Sequence, residues 1–270
     1  MWCKDIGFDK VDFHLHVAEK PSYTNLPIYG LIQECRKRGL LYICLTDHWR
    51  EDTDPIIFVR ERELISQENF GLKIYLSAEV EILDEEGNSP IDIEEHKDII
   101  KKLDFLSAAF HLGEFLPEVG RRRLPKTGDK FIEYVHEKLI NMLKNKMFKM
   151  ILHPTDYGLK DCIRFRLCKS FSFKNVLEEY LEEFVKTAVK YDKVIQINEN
   201  TALSPPEGYR YFIKMLIDNR VKLTVGSDTH YIEDCIVGRY RNWPGKTEKI
   251  VEILKMCGAD KNLLWLPKYR

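Results

Sequence analysis

No apolar run in the 270 residues approaches the roughly 20 that a helical membrane span needs, and the first residues, MWCKDIGFDK, hold no apolar leader segment. A basic surplus is missing too: 42 Lys and Arg stand against 43 Asp and Glu, a net charge of −1. Proteins that wrap nucleic acid nonspecifically normally carry that surplus to displace counterions, so nucleic acid ranks below a small molecule as partner, and no membrane partner is expected. No CxxC pair occurs, and the cysteines (Cys3, Cys35, Cys44, Cys162, Cys168, Cys235, Cys257) are an odd number. A zinc ribbon and a secreted disulfide scaffold are both disfavoured. No GxSxG motif offers a serine nucleophile. Low-complexity tracts, repeats and linkers are absent, which predicts one domain over residues 1–270, cytoplasmic and of enzyme size. Hydrophobic residues at 44% and charged residues at 31% are enough to build its core.

What is present is an alternation. Mainly apolar runs at Val11–His16, Leu41–Thr46, Lys73–Glu79, Asp104–Ala109, Lys149–His153, Lys193–Asn198 and Lys222–Ser227 read as strands covered on both faces. Stretches of helical period lie between them. Phe131, Ile132, Val135, Leu139, Met142 and Leu143 line one side of Asp129–Phe148, and Val176, Leu177, Tyr180, Leu181, Phe184, Val185 and Ala188 form a second stripe. Weaker patterns cover Ile28–Arg38, Asp54–Asn69, Asp92–Lys102, Pro206–Asn219 and Gly245–Met256, with Gly39, Gly71 and Gly258 where helices should stop. Seven such units predict an α/β fold with a parallel sheet; periodicity leaves an open sheet and a closed barrel both standing. The long pieces Val80–Ile91, Leu112–Gly128 and Thr155–Phe173 each follow a strand and should gather over the carboxyl end, where both architectures bind ligands.

The histidines are not scattered. Of eight, six (His14, His16, His48, His111, His153, His230) fall at or just past the carboxyl end of a predicted strand, with Glu79 and Asp228 in the same kind of position. Residues i and i+2 of a strand project to one side, so His14 and His16 share a direction, as do Asp228 and His230. Imidazole with carboxylate and no thiolate suits Zn, Mn or Fe. The set is too large for one tetrahedral ion and fits two or three divalent ions sharing a carboxylate.

The ordered motifs DFHLH (Asp12–His16), TDH (Thr46–His48), AEVE (Ala78–Glu81), AFH (Ala109–His111), ILHP (Ile151–Pro154), QINENT (Gln196–Thr201) and GSDTH (Gly226–His230) resemble the PHP (polymerase and histidinol phosphatase) superfamily, nearest its stand-alone histidinol-phosphatase-like members. The resemblance implies a distorted seven-stranded (β/α)7 TIM-like barrel with a metal cluster at its carboxyl end. Carried over, it gives the first ion His14, His16, Glu79 and Asp228; the second Glu79 as bridge with His111 and His153; and a third His48 and His230. The family usually supplies another ligand where this chain has Ser22, which puts the third ion in doubt; Glu19 stands nearby at a different spacing. Glu81 shares a side with Glu79 and reads as an exposed loop carboxylate ahead of a support for a ligand.

These features predict metal-dependent hydrolysis of a phosphate ester, a phosphomonoesterase of histidinol-phosphatase type, by a metal-activated hydroxide. Asp228, His48 and His230 are the expected catalytic groups. Asp12 is placed to orient a ligand histidine, and Asn198 to bond a ligand or substrate or else cap the next loop. Asp47 projects opposite His48 and reads as structural. Arg121, Arg122, Arg123 and Lys126 form a basic cluster suited to phosphate, with Arg50, Lys160, Arg164, Arg166 and Arg239 as further candidates. Trp49 and Tyr157 are placed to stack on a flat substrate group or to pack their loops. A PHP-type phosphodiesterase or nuclease is the alternative. An amidohydrolase-type hydrolase ranks lower, because strand four ends in Phe110-His111 rather than a lysine, and a non-catalytic PHP module ranks lower still.

Overall fold

A computed structural model describes residues 6–17, 28–111, 124–230 and 244–268. Its strands are β1 (Val11–Leu15), β2 (Tyr42–Trp49), β3 (Lys73–Glu81), β4 (Ser107–Ala109), β5 (Met150–Ile151), β6 (Val194–Asn198) and β7 (Lys222–Gly226). Each pairs in parallel with the next, giving one sheet in chain order. The two edges of that sheet meet. The His16 N–H donates to the Thr229 carbonyl at 3.1 Å, the Asp228 N–H donates to the His14 carbonyl at 2.9 Å, and Leu15 bridges Thr229. The choice that periodicity left open is thus settled as a nearly closed barrel, sealed by a short seam just past β7 rather than by a full ladder.

Gly226 makes the seam feasible. A Cβ there would fall 2.2 Å from Gln196 Nε2 and 2.6 Å from His14 Cβ, separations that no side chain tolerates. All five positions of β1 and of β6 are buried, as a strand with helices outside and side chains inside requires. Phe13 packs against Tyr75 and Trp265, with ring centroids 5.7 and 6.1 Å apart. The Trp265 N–H donates to the Leu223 carbonyl at the start of β7, so the C-terminal segment covers the barrel's amino end.

Strands β4 and β5 are each three residues shorter than the sequence predicts. Asp104 accepts from the Leu76 N–H and from Arg62, both at 2.8 Å, so its stretch is tied by side chains and β4 begins only at Ser107. His153 is left-handed (φ 34°), which ends β5 early.

The helices are α1 (Ile28–Lys37), α2 (Ile56–Gln67), α3 (Ile93–Ile100), α4 (Gly128–Lys144), α5 (Leu159–Arg164), α6 (Glu178–Lys190), α7 (Glu199–Leu203), α8 (Tyr209–Asp218) and α9 (Glu248–Met256). The predicted stripe of α4 is buried throughout. In α6, Leu181, Phe184, Val185 and Ala188 are buried, but the helix starts at Glu178 and leaves Leu177 outside it and 53% exposed. Glu178 and Glu179 occupy the first turn, where the helix dipole favours negative charge. Short α5 and α7 fall within irregular stretches of the sequence reading, because neither is long enough to show a period. Cys162 and Cys168 form a disulfide across α5. It is a local link rather than a scaffold, which the expected cytoplasmic location does not call for, and among the described residues Cys35, Cys44 and Cys257 are free. No helix among the described residues is long and apolar enough to cross a membrane.

Candidate metal centre

Strand alternation puts Asp12, His14 and His16 on one side of β1 and Phe13 and Leu15 on the other. At the carboxyl end the side chains of six strands and the residues just past them converge. His14 Nε2 and His16 Nε2 lie 3.0 Å apart. Glu79 Oε2 is 3.2 and 3.4 Å from them, and Asp228 Oδ1 is 3.5 and 3.4 Å from them. Glu79 Oε2 also lies 2.9 Å from His48 Nδ1, while its Oε1 faces His153 Nε2 at 2.8 Å and His111 Nε2 at 3.5 Å. One carboxylate, 1% exposed, therefore touches five imidazoles. His230 stacks on His16 with centroids 4.0 Å apart.

Three groups of donors each bring their ligand atoms within 4.8 Å of one another: His14, His16 and Asp228; His14, Glu79 and His153; and His16, His48 and His230. His111 joins through Glu79. Every predicted metal-binding position among these eight sits in one cluster. Divalent cations fit it, because nitrogen and oxygen lone pairs this close repel unless positive charge lies between them, and nitrogen–oxygen donor sets suit Zn, Mn or Fe.

The electrostatics agree. Burial raises the Glu79 carboxyl, but the charges of His48 and His14 outweigh it and hold it well below the usual range. Burial also works against Asp228, which His14 and His16 hold well below its ordinary value. Burial lowers His16, yet Asp228, Asp47 and Glu79 together push it up to about 10; Glu81 and Glu79 overcome burial likewise and push His111 to about 9. His48 and His230 go the other way. Burial, aided by the nearby His16, takes His48 well below the ordinary imidazole value and His230 to about 4. The cluster's field thus favours positive charge between Glu79 and Asp228.

The surroundings fix these side chains. His153 and Asp228 are left-handed at φ 34° and 57°, conformations that cost energy and concentrate at functional sites. Gln196 holds the first of them, its Oε1 accepting the His153 N–H at 3.0 Å; the sequence quoted Gln196 in a motif without giving it a role. Asn198 makes two side-chain hydrogen bonds. Its Oδ1 accepts from the Asn200 N–H, capping α7, and its Nδ2 donates to Asp228 Oδ2 at 3.3 Å. Asp12 accepts main-chain N–H groups of His14, Ser227 and Gly245, at 3.2, 3.0 and 2.7 Å, rather than a ring N–H. It ties β1 to the β7 end and to the returning chain. Glu81, read as an exposed loop carboxylate, is buried, because β3 continues two residues past its predicted end; its Oε1 accepts the His111 N–H at 2.8 Å and its Oε2 lies 2.7 Å from His111 Nδ1.

Two predicted stacking residues, Trp49 and Tyr157, are not brought to the cluster. Trp49, 2% exposed, packs on Phe58 and His96. It lies opposite His48 on β2, which aims it into the helix layer. Tyr157 is fully buried, 2.6 Å from His136 Nδ1. Neither is available to stack on a substrate. Lys126 is exposed on the loop before α4. Arg121, Arg122, Arg123 and Arg239, with Glu19 and Ser22, lie outside the described residues. Arg50, just past β2, is close enough for its charge to lower both His48 and His111.

No protein-family model matches the chain. A protein named "probable phosphatase" from Thermoanaerobacter sp. strain X514 is 27% identical over 261 residues, 94% of this chain and 89% of that protein. A second, also named "probable phosphatase", from Caldicellulosiruptor bescii is 27% identical over 238 residues, 86% of this chain and 83% of its own. Among solved structures, the histidinol phosphate phosphatase of Lactococcus lactis, complexed with zinc, L-histidinol and phosphate, superposes with a TM-score of 0.63 at 19% identity over 93% of this chain and 95% of that one. The chain has the fold of that histidinol phosphate phosphatase. A candidate histidinol phosphatase from Listeria monocytogenes has the same fold, with a TM-score of 0.63 at 13% identity over 85% of this chain and 98% of its own. In this barrel the seven motifs, spread from Asp12 to His230, meet at one mouth.

Proposed function

We propose that residues 1–270 form a single PHP-type barrel that hydrolyses phosphate esters, acting as a divalent-metal-dependent phosphomonoesterase on a small phosphorylated substrate. The observation that carries this reading is Glu79: one buried carboxylate within 3.5 Å of five imidazole rings from four other strands. The names of the relatives and the zinc and phosphate in the Lactococcus structure support it.

His14, His16, Glu79 and Asp228 would hold a first ion, and Glu79, His111 and His153 a second. Bound divalent ions supply Lewis acidity toward phosphoryl oxygens and a water of lowered pKa. The chain does the rest. Glu79 and Asp228 set the charge that retains cations, Asn198 fixes the Asp228 carboxylate, and Glu81 fixes His111. His48 and His230 either complete a third cation site or remain to stabilise the leaving oxygen with a hydrogen bond from a ring N–H. Arg121, Arg122, Arg123 and Lys126, on the stretch after β4, would contact the substrate phosphate, and buried Trp49 and Tyr157 take no part. Near-zero net charge favours a small substrate over nucleic acid, and the basic stretch keeps a phosphodiester as the second reading.

Metal analysis of the purified chain, with a screen of phosphomonoesters beside single-stranded DNA, tests the proposal. At least one equivalent of metal per chain and metal-stimulated release of phosphate from a monoester are expected. Less than half an equivalent, with no stimulated hydrolysis, would refute it.

A further inference from the structure

Lys138 stands in the middle of α4 and takes no part in the proposed reaction. Its side chain is fully buried. Among the described residues its Nζ has no hydrogen-bond partner. The ammonium instead lies 5.1 Å from the ring centroid of Phe110. Phe110 falls between Ala109, the last residue of β4, and His111. The stretch after β3 closes over this point. One turn along α4, Asn141 Nδ2 donates to the Glu85 carbonyl at 2.8 Å, and a Cβ on Gly87 would stand 3.4 Å from Asn141. The Ile82 N–H donates to the Ala109 carbonyl at 2.8 Å, which ties the same stretch to the end of β4.

An ammonium has only donors to offer. Burying it with none of them used works against folding, and an apolar side chain of the same length would carry no such cost. Fold stability therefore does not account for Lys138. What the charge touches does. A desolvated cation over an aromatic face is attracted by the ring quadrupole, more strongly than at an exposed site, so Phe110 is held from the helix side. His111 is held from the sheet side, where Glu81 Oε1 accepts its N–H at 2.8 Å and Glu81 Oε2 lies 2.7 Å from its Nδ1. Burial pulls the Lys138 ammonium down to about 8, and the negative charges of Glu81, Asp84 and Glu85 work against that pull.

We propose that Lys138 is a positioning residue: its ammonium grips the face of Phe110 from α4, fixes the end of β4, and so keeps the His111 ring turned toward Glu79. The role rests on the reading of His111 as a ligand of the second ion. Phe110 and His111 share a peptide unit, so a ring that is free to swing on one side turns the imidazole on the other. The grip comes from a helix that carries none of the recognised motifs.

The test is zinc binding to the full chain, read as successive equivalents by competition with chromogenic chelators. His111→Ala marks the step that belongs to the second ion. In Lys138→Met that step should weaken about fivefold to tenfold, the other step should keep its wild-type affinity, and the urea midpoint should not fall. Phe110→Leu should weaken the same step, and the double variant should be no weaker than the worse single one, because both changes break one contact. Wild-type affinity at that step in Lys138→Met would overturn the proposal, as would additive losses in the double variant. A lower urea midpoint with both zinc steps weakened alike would also overturn it, since that is how a residue that only supports the fold behaves. A Lys138→Met chain that did not fold would do the same. If His111→Ala leaves every zinc step unchanged, the ligand reading of His111 fails and the positioning role with it; a loss in His111→Ala without one in Lys138→Met strikes the positioning role alone.

Discussion

Replacing Glu79 by Gln keeps the shape of the side chain and removes one charge. The wild-type carboxylate is 1% exposed and lies between 2.8 and 3.5 Å from rings of His14, His16, His48, His111 and His153. Both oxygens are engaged, Oε2 with the His14, His16 and His48 side of the cluster and Oε1 with the His111 and His153 side. An amide offers one acceptor, and its N–H2 points donors at ring nitrogens that need an acceptor or a cation. Removing one partner of a buried charged pair costs about 3–5 kcal/mol, and each 1.4 kcal/mol is tenfold. Metal affinity should therefore fall by roughly two to three and a half decades. The assay is metal content after dialysis against a weak chelator, followed by a competition titration and the rate of phosphomonoester hydrolysis. Glu79→Gln should leave dialysis with less than half the wild-type metal and with hydrolysis near background. Full metal content and an unchanged kcat/KM would refute the idea that one carboxylate organises the centre.

Three further outcomes follow from the same geometry. Gly226→Ala forces a Cβ to within 2.6 Å of His14 Cβ; overpacking of this kind costs about 1–3 kcal/mol, so the urea midpoint should fall and metal retention with it. Trp49→Ala should destabilise the fold by about 3–5 kcal/mol while leaving KM of the folded fraction unchanged, because the indole packs on Phe58 and His96 and not at the mouth. Glu199 accepts the Lys249 and Ile250 N–H groups at the start of α9, and burial pushes its carboxyl up from 4.5 to about 7. A folded pKa above the unfolded one gives a contribution present in full below about 4.5 and lost as pH rises through 7. Between pH 5 and 8 the stability of wild type, measured by urea unfolding, should therefore decline relative to Glu199→Gln, by up to roughly 3 kcal/mol; parallel curves would refute the shift.

The fold was largely legible in the chain. All seven strands and the seven longer helices appear where apolar runs and helical periods place them, because each signal is local: a doubly covered strand is apolar throughout, and a helix shows its buried stripe every three to four residues. Errors gathered at strand ends and in short helices, where one hydrogen bond or one left-handed residue outweighs a pattern. His153 ended β5, and the two extra residues of β3 buried Glu81. Ring closure was not legible in the periodicity, although the resemblance carried by the motifs implied it. Both an open sheet and a barrel share the same alternation, and only the seam from Asp228 and Thr229 to His14 and His16, with Gly226 beneath it, separates them.

The sequence by itself determined which residue types stand at the strand ends, and so the nitrogen–oxygen chemistry available there. Only the tertiary structure decided their companions. Gln196 under His153, Glu81 beside His111 and Trp49 turned into the helix layer each depend on which side chain from a distant segment fills the neighbouring space. Such contacts have no period and no fixed spacing, because they are set by packing across elements rather than by the order of residues within one.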